Sequence, residues 1–293
     1  MPLKDILVHA DNSANSEVRL DYATRLAAEH DAFLTGLYVG SPSGAAGEPE
    51  RRGAYAVPDL GGRSLREYER KMDEVSSMRT EHARFAADSA RQRFEARAGE
   101  TGVRHEWSHV DGAMMDALTH SARFCDVAVV GQPGRDSVRR FGETVTDHLI
   151  LSVGHPILVV PTLPAGFSVG KRIMIAWDRS PLATRAIHNS RPFLRHADSV
   201  HILAINLEPE THGGKPGSGI CEHLARHDIE ATPIHVRGAT ESLADVLLSQ
   251  ARELDADLII MGAYGHSRLR ERILGSTTSQ LLNTSPVAML MTH

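Results

Sequence analysis

The residues of this chain best suited to chemistry stand near its end, where Met261-Gly262-Ala263-Tyr264-Gly265-His266-Ser267 runs through Arg268–Arg272 into Gly275-Ser276-Thr277-Thr278. The spacing is G-x2-G-x9-G-S. It is not a Walker loop, because no Lys-Ser or Lys-Thr follows a glycine at the required distance, and the G-x-G-x-x-G dinucleotide fingerprint is absent. The residue types still suit phosphate. Gly262 ends an apolar run, Gly265 lets the loop approach a ligand, and Gly275-Ser276-Thr277 opens a helix whose free amides and hydroxyls favour an anion. Asp178 closes a second apolar run. In open parallel sheets ligands lie beyond the carboxyl ends of the strands, where the winding reverses. If the two runs are neighbouring strands, Asp178 accepts hydrogen bonds from a ribose, the glycine loop holds phosphates, and Ile205 forms an apolar wall for a base. His266 is either a contact to a terminal phosphate or a loop residue facing water; its charge state is easily tuned near neutral pH.

The elements that must position these residues occur twice. Leu3–Ser13 returns as Gly170–Ser180, each an apolar run ending in Asp-x-Ser; Cys125–Gly131 returns as Ala256–Gly262, and His155–Val160 as Ser285–Leu290. Three matches in one order imply two copies of one unit. The connector from Thr162 to Gly170, with Pro164 and Gly166, reads as a linker, which places the halves at 1–161 and 171–293. Within each, short β-branched runs alternate with amphipathic helical stretches, the pattern of a parallel sheet covered by helices. In the second half the strands are expected near 171–177, 199–206, 231–236, 257–262 and 286–291, with a helix near 242–254. Ser180-Pro181 is a helix start, the hydroxyl capping amides and the proline at the first turn. The expected fold class is α/β: two doubly wound parallel five-stranded sheets. The first half is longer by an insertion near 41–62, an irregular Pro, Gly and Ala-containing loop, followed by a helix near 64–98 expected to cover its own sheet, with a protruding arm for a partner as the alternative.

Composition narrows the functions. The 293 residues are 41% hydrophobic and 24% charged, with 32 Lys plus Arg against 37 Asp plus Glu. That balance is globular, and its net charge of −5 gives no electrostatic footprint for nucleic acid. No stretch approaches the roughly 20 apolar residues of a membrane helix, and the first ten residues lack a signal-peptide run. Cys125 and Cys221 are too few for a disulfide scaffold, which points to a reducing, cytoplasmic home.

The chain is similar to the universal stress protein family, and resembles its tandem members over nearly every residue outside the loop near 41–62. The most specific marker is Ala256–Thr278, which matches the family's G-x2-G-x9-G-S/T pattern in full. The resemblance implies an adenine-nucleotide fold with the halves related by a pseudo-twofold axis, last strands pairing around Ile157–Val160 and Val287–Met291, and ATP as ligand with Mg²⁺. It implies that Ala176, Trp177 and Asp178 contact adenine and ribose, that Ile205 lies beside adenine, that Met261, Gly262, Gly265 and His266 form the strand-end phosphate loop, and that Gly275, Ser276, Thr277 and Thr278 form the phosphate-binding helix start. A homodimer and a protein partner that reads the nucleotide state are further implications. No catalytic residue is assigned; a slow ATPase or nucleotide transferase in the same pocket is the alternative to a binding module.

The first half departs from the pattern. Gly131-Gln132-Pro133-Gly134 keeps the first two glycines, but Thr144-Val145 stands where Gly-Ser is required, Gly142 is followed by Glu143, and Pro133 removes an amide donor. That copy reads as degenerate, with a shifted anion site at Gly142 and Thr144 as the alternative. Among other residues, His223 and His227 share a helix face near Cys221, yet lack the companions of a structural zinc site. Asp178-x-Ser180 reads as ribose contact plus helix cap, and Cys125 as packing.

Overall fold

A computed structural model of the chain describes residues 2–13, 15–40, 62–134, 139–140, 143–162, 168–209, 214–265 and 277–293. Residues 41–61 of the loop expected near 41–62, the centre of the linker at 163–167, Gly142, the basic run Arg268–Arg272, and His266, Gly275 and Ser276 lie outside the described residues, while Gly62 opens a helix.

The first half runs β1 (Asp5–His9), α1 (Ser16–His30), β2 (Phe33–Gly40), α2 (Gly62–Thr101), β3 (His105–Asp111), α3 (Met114–Ala122), β4 (Val127–Gly131), a small hairpin of β5 (Arg139–Arg140) and β6 (Glu143–Thr144), α4 (Val145–Ser152) and β7 (Ile157–Val160). The second half runs β8 (Arg172–Ala176), α5 (Pro181–Asn189), α6 (Arg191–Leu194), β9 (Ser199–Ile205), α7 (Ser218–Ala225), β10 (Thr232–Val236), α8 (Leu243–Glu253), β11 (Leu258–Gly262), α9 (Thr277–Thr284) and β12 (Ala288–Thr292). Local chemistry explains the starts of the two helices α5 and α8. Ser180 Oγ accepts the Ala183 amide with Pro181 in the first turn, and Ser242 Oγ accepts the Asp245 amide at the head of α8. The central strands β4, β7 and β12 are buried along their whole length, as strands covered by helices on both faces must be.

The two five-stranded sheets are one. The strand order is β10-β9-β8-β11-β12-β7-β4-β1-β2-β3, all neighbours parallel except β12 and β7. Each half keeps the same winding, and the antiparallel seam pairs Met289 with Val159, Leu290 with Leu158 and Met291 with Ile157. The last strands are apolar except for Thr292, so leaving either as an open edge would expose a sticky template; pairing them removes both edges. A local twofold through Leu158 and Leu290 follows from the antiparallel register. Two apolar layers sandwich the sheet, and both run through the two halves: Leu20, Phe94, Ile187 and Phe193 lie in one, Leu149, Ile150, Leu247 and Leu281 in the other.

The long helix of the insertion is present, and among its described side chains those of the second part cover the sheet. Ala87, Ala90, Phe94 and Ala98 are buried at three- and four-residue spacing, and Phe94 packs its ring 5.7 Å from Trp107. Met78 and Phe85 are exposed. At 1.5 Å per residue the helix simply outruns the sheet it packs on.

Contacts on the helix side reinforce the seam. Lys171 pairs with Glu29, and the His30 ring meets His196 at 4.7 Å and Phe193 at 5.9 Å. Burial, then His196, lower the His30 pKa to about 4 from 6.5. Between those values the unfolded chain binds a proton that the folded chain refuses, so stability falls as pH drops through this window, by up to about 1.4 kcal/mol per pH unit for this group. Urea denaturation at pH 7, 5.5 and 4.5 should show that slope, and His30→Gln should flatten it; an unaltered slope in the variant would count against this assignment.

Candidate functional site

β8 and β11 are neighbours, with Ile173 opposite Leu258 and Ile175 opposite Ile260, so the winding reverses between them and their carboxyl ends open onto a crevice. The cavity there, about 160 Å³, is lined by Ala176, Trp177, Asp178, Ile205, Met261, Gly262, Gly265, Thr277 and Thr278, together with Leu182, Leu203, Leu243, Leu247 and Tyr264. The structure therefore brings together nine of the twelve residues singled out in the sequence. His266, Gly275 and Ser276 belong to the segment outside the described residues.

Each wall has a local origin. Gly262 ends β11 where α5 begins; a Cβ there would sit 2.7 Å from the Leu182 carbonyl carbon and 2.9 Å from the Ala183 nitrogen. Its first role is thus close helix–strand packing. Asp178 is exposed, and its Oδ1 accepts the Ser180 amide at 2.9 Å. Ser180 is engaged as the α5 cap, so the Asp-x-Ser pair is a turn and cap with no activated nucleophile in it. Trp177 packs against the first apolar layer, its indole N–H buried without a partner among the described residues. Leu203, Ile205 and Leu247 make one side apolar, and Leu243 at the rim stays 46% exposed. On the other side the buried Thr278 hydroxyl faces the Tyr264 amide at 3.5 Å. Tyr264 was invisible as a site residue in the sequence. It adopts φ 60° and its phenol donates to Asp147 Oδ1 in the first half.

At the corresponding strand ends of the first half a side chain lies across the space between β1 and β4. Arg19, 5% exposed, donates to the His9 carbonyl at 3.0 Å and to Asp11 Oδ1 at 2.5 Å. A Cβ on Gly131 would meet its Nη1 at 2.8 Å. Burial would raise the Asp11 carboxyl pKa, but Arg19, His9 and Ser13 together hold it below the usual value. In the second half the residue eight positions after the aspartate is Ala186, which cannot reach the crevice. At the head of α4 the Thr144 amide and hydroxyl donate to Asp147 Oδ2 at 2.9 and 2.7 Å, and Thr144 Oγ1 accepts the Asp147 amide. An internal carboxylate thus occupies the helix start that the second half leaves to Thr277 and Thr278, and Thr144 is engaged in that cap.

The remaining candidates resolve simply. The Cys125 thiol is pushed up to about 12 by burial and is inert packing. Arg191 Nη2 donates toward His223 and His227 Nε2, at 3.5 and 3.3 Å, while His188 stacks on His223. A guanidinium sits where a metal would, its charge chief among the causes lowering the His227 pKa. Among the described residues no group of three His, Cys, Asp or Glu could hold a metal ion, and no helix is long and apolar enough to cross a membrane. A larger hollow of about 880 Å³ lies beside α2, between Tyr38, His109, Asp111 and Met78, but it includes no residue of the glycine motif.

Two α/β units of one winding, fused at their last strands and with a crevice at the switch point of the second, define a tandem doubly wound protein. The family profile of the universal stress proteins matches residues 2–161 and again 170–293, and the chain belongs to that family. It is 23% identical over 185 residues to "Universal stress protein Slr1230" of Synechocystis sp. (strain ATCC 27184 / PCC 6803 / Kazusa), a match spanning 62% of this chain and 63% of that protein. Among solved structures, a universal stress protein from Archaeoglobus fulgidus DSM 4304 aligns with TM-score 0.65 and 17% identity, over 98% of this chain and 95% of its own. A putative universal stress protein from Pseudomonas aeruginosa UCBPP-PA14 aligns with TM-score 0.58 and 14% identity, over 99% and 93%. At these identities the structural likeness speaks for the fold.

Proposed function

We propose that the crevice between β8 and β11 binds an adenine nucleotide, ATP with Mg²⁺, and that the protein is a cytoplasmic regulatory module of a stress response. The observation that carries this reading is the division of the crevice wall, with Leu203, Ile205, Leu243 and Leu247 on one side and Gly265, Thr277 and Thr278 on the other. A base suits the first side. Phosphate oxygens suit the second, where hydroxyls and helix amides converge. The enclosed volume, about 160 Å³, is below the roughly 300–1,000 Å³ of complete ligand sites. It fits a base with part of its ribose, leaving phosphates at the mouth. In this reading Ala176, Trp177 and Ile205 contact adenine, Asp178 accepts from ribose, Met261, Gly262, Gly265 and His266 border the phosphates, and Gly275, Ser276, Thr277 and Thr278 hold them. Mg²⁺ keeps most of its waters and is held largely by phosphate oxygens, so it needs few protein ligands.

The first half, closed by Arg19 and Asp147, takes no nucleotide, so the stoichiometry is one per chain. Since the last strands are already paired within the chain, a homodimer uses other surfaces. Bound nucleotide acts by favouring one arrangement of the glycine loop over another, with a protein partner reading the difference.

Native mass spectrometry of the purified protein, followed by titration with Mg·ATP, tests this. One adenine nucleotide per chain is expected, and at a hundredfold excess over Kd a stabilisation of about 2.7 kcal/mol. No saturable binding would end the proposal. Steady release of phosphate, lost on replacing Thr278 and retained on replacing the remote Met78, would favour an ATPase instead.

A further inference from the structure

We infer that Asp147, a residue of the first half, is a positioning residue for the glycine loop of the second. Tyr264 stands between Gly262 and Gly265 in a left-handed conformation, φ 60°, that side-chain-bearing residues rarely adopt. Something must hold it there. Its phenol donates to Asp147 Oδ1, and its amide points at Thr278 Oγ1, 3.5 Å away. The acceptor is itself fixed: Asp147 Oδ2 takes both the amide and the hydroxyl of Thr144 in a capping box, so the carboxylate cannot swing. One oxygen closes the helix start of the first half. The other anchors the loop of the second.

The register of the repeat gives this arrangement its logic. With Gly131 matched to Gly262, Asp147 falls opposite Thr278. The half without the glycine-serine helix start carries a carboxylate there, and the seam between β7 and β12 brings it within reach of the competent half's loop. Gln132 reinforces the same crossing, its amide donating to the Ser285 carbonyl at 2.6 Å and its oxygen accepting the Thr162 amide at 3.0 Å. The degenerate copy thus supplies a fixed acceptor that shapes the crevice of its neighbour. For its affinity consequence the inference rests on the nucleotide reading; for the loop geometry it does not.

Tyr264→Phe, which removes only the hydroxyl, Asp147→Ala and the double variant test it in the full-length chain. Two measurements are made on each: titration with Mg·ATP, and hydrogen exchange of the amides from Gly262 to Gly265, with thermal melts to verify folding. Loss of one charge-assisted hydrogen bond should weaken ATP binding about tenfold in either single variant, and the double variant should be no weaker. All three should exchange faster in the loop, and Tyr264→Phe should melt near the wild-type temperature. Unchanged affinity and exchange in Tyr264→Phe, or losses that add in the double variant, would overturn the inference. Should the wild type bind no ATP, the nucleotide reading fails alone, and loop exchange decides: faster exchange in the variants upholds the role of Asp147, unchanged exchange rejects it.

Discussion

Gly262→Ala is expected to lower stability by about 1–3 kcal/mol, the range for overpacking a close contact, and to weaken ATP binding at least about tenfold. The added methyl would lie 2.7 Å from both the carbonyl carbon and the Cβ of Leu182. The obstacle is largely main chain, so no rotamer change relieves it. Either β11 withdraws at its carboxyl end or α5 tilts outward, and both movements displace the floor of the crevice, which Leu182, Ala183 and Gly262 share. Urea denaturation and Mg·ATP titration of the same preparation give the two quantities. A variant with wild-type stability would show that α5 yields more readily than its packing implies.

Arg19→Ala is expected to cost about 3 kcal/mol, because removing one partner of a buried pair leaves the other uncompensated. The guanidinium is 5% exposed and holds Asp11 and the His9 carbonyl together. Asp11 retains some contact with water, so the lower end of the usual range applies. Burial and then Arg19 hold the His9 pKa near 4. With the cation gone that value should move back up toward 6.5, since the second-largest cause of its depression is lost. Urea denaturation of both proteins near pH 7 measures the stability change, and NMR titration of the His9 ring follows the proton. Arg19→Met, which keeps the stem, should lose about as much as Arg19→Ala if the charge pair dominates; recovery in Arg19→Met would mean that packing of the stem is what counts. Neither variant is expected to gain a second nucleotide, because Asp147 still occupies the helix start.

Much of this architecture was legible in the sequence. The repeated Asp-x-Ser ends, the apolar runs at 172–176 and 258–262, and the Ser180-Pro181 cap all lie within short windows, where strand burial and helix capping act through immediate neighbours. The meeting of Asp178, Ile205 and Gly262 at one crevice followed from adjacency of the first and fourth strands. Less was legible of what the chain does between its halves. The two sheets meet through β7 and β12, the pairing that the family resemblance implied, and what the sequence left unread was the side-chain traffic across that seam. The 64–98 helix was expected to cover its sheet, but among its described side chains the buried ones run from Ala87 onward, since a 3.6-residue period reports an apolar face without reporting what lies opposite it.

The sequence by itself determined the elements, the winding of each half and the residue types gathered at the second crevice, because these depend on period, caps and turns that act over a few residues. The tertiary structure decided the register in which the copies join and which side chains occupy the first copy. Arg19 reaches Gly131, and Asp147 reaches Tyr264 across 117 positions of chain, through side-chain directions that only the folded backbone sets. Such contacts carry no periodic signal, and the one between Asp147 and Tyr264 forms only once the seam at Leu158 and Leu290 has closed.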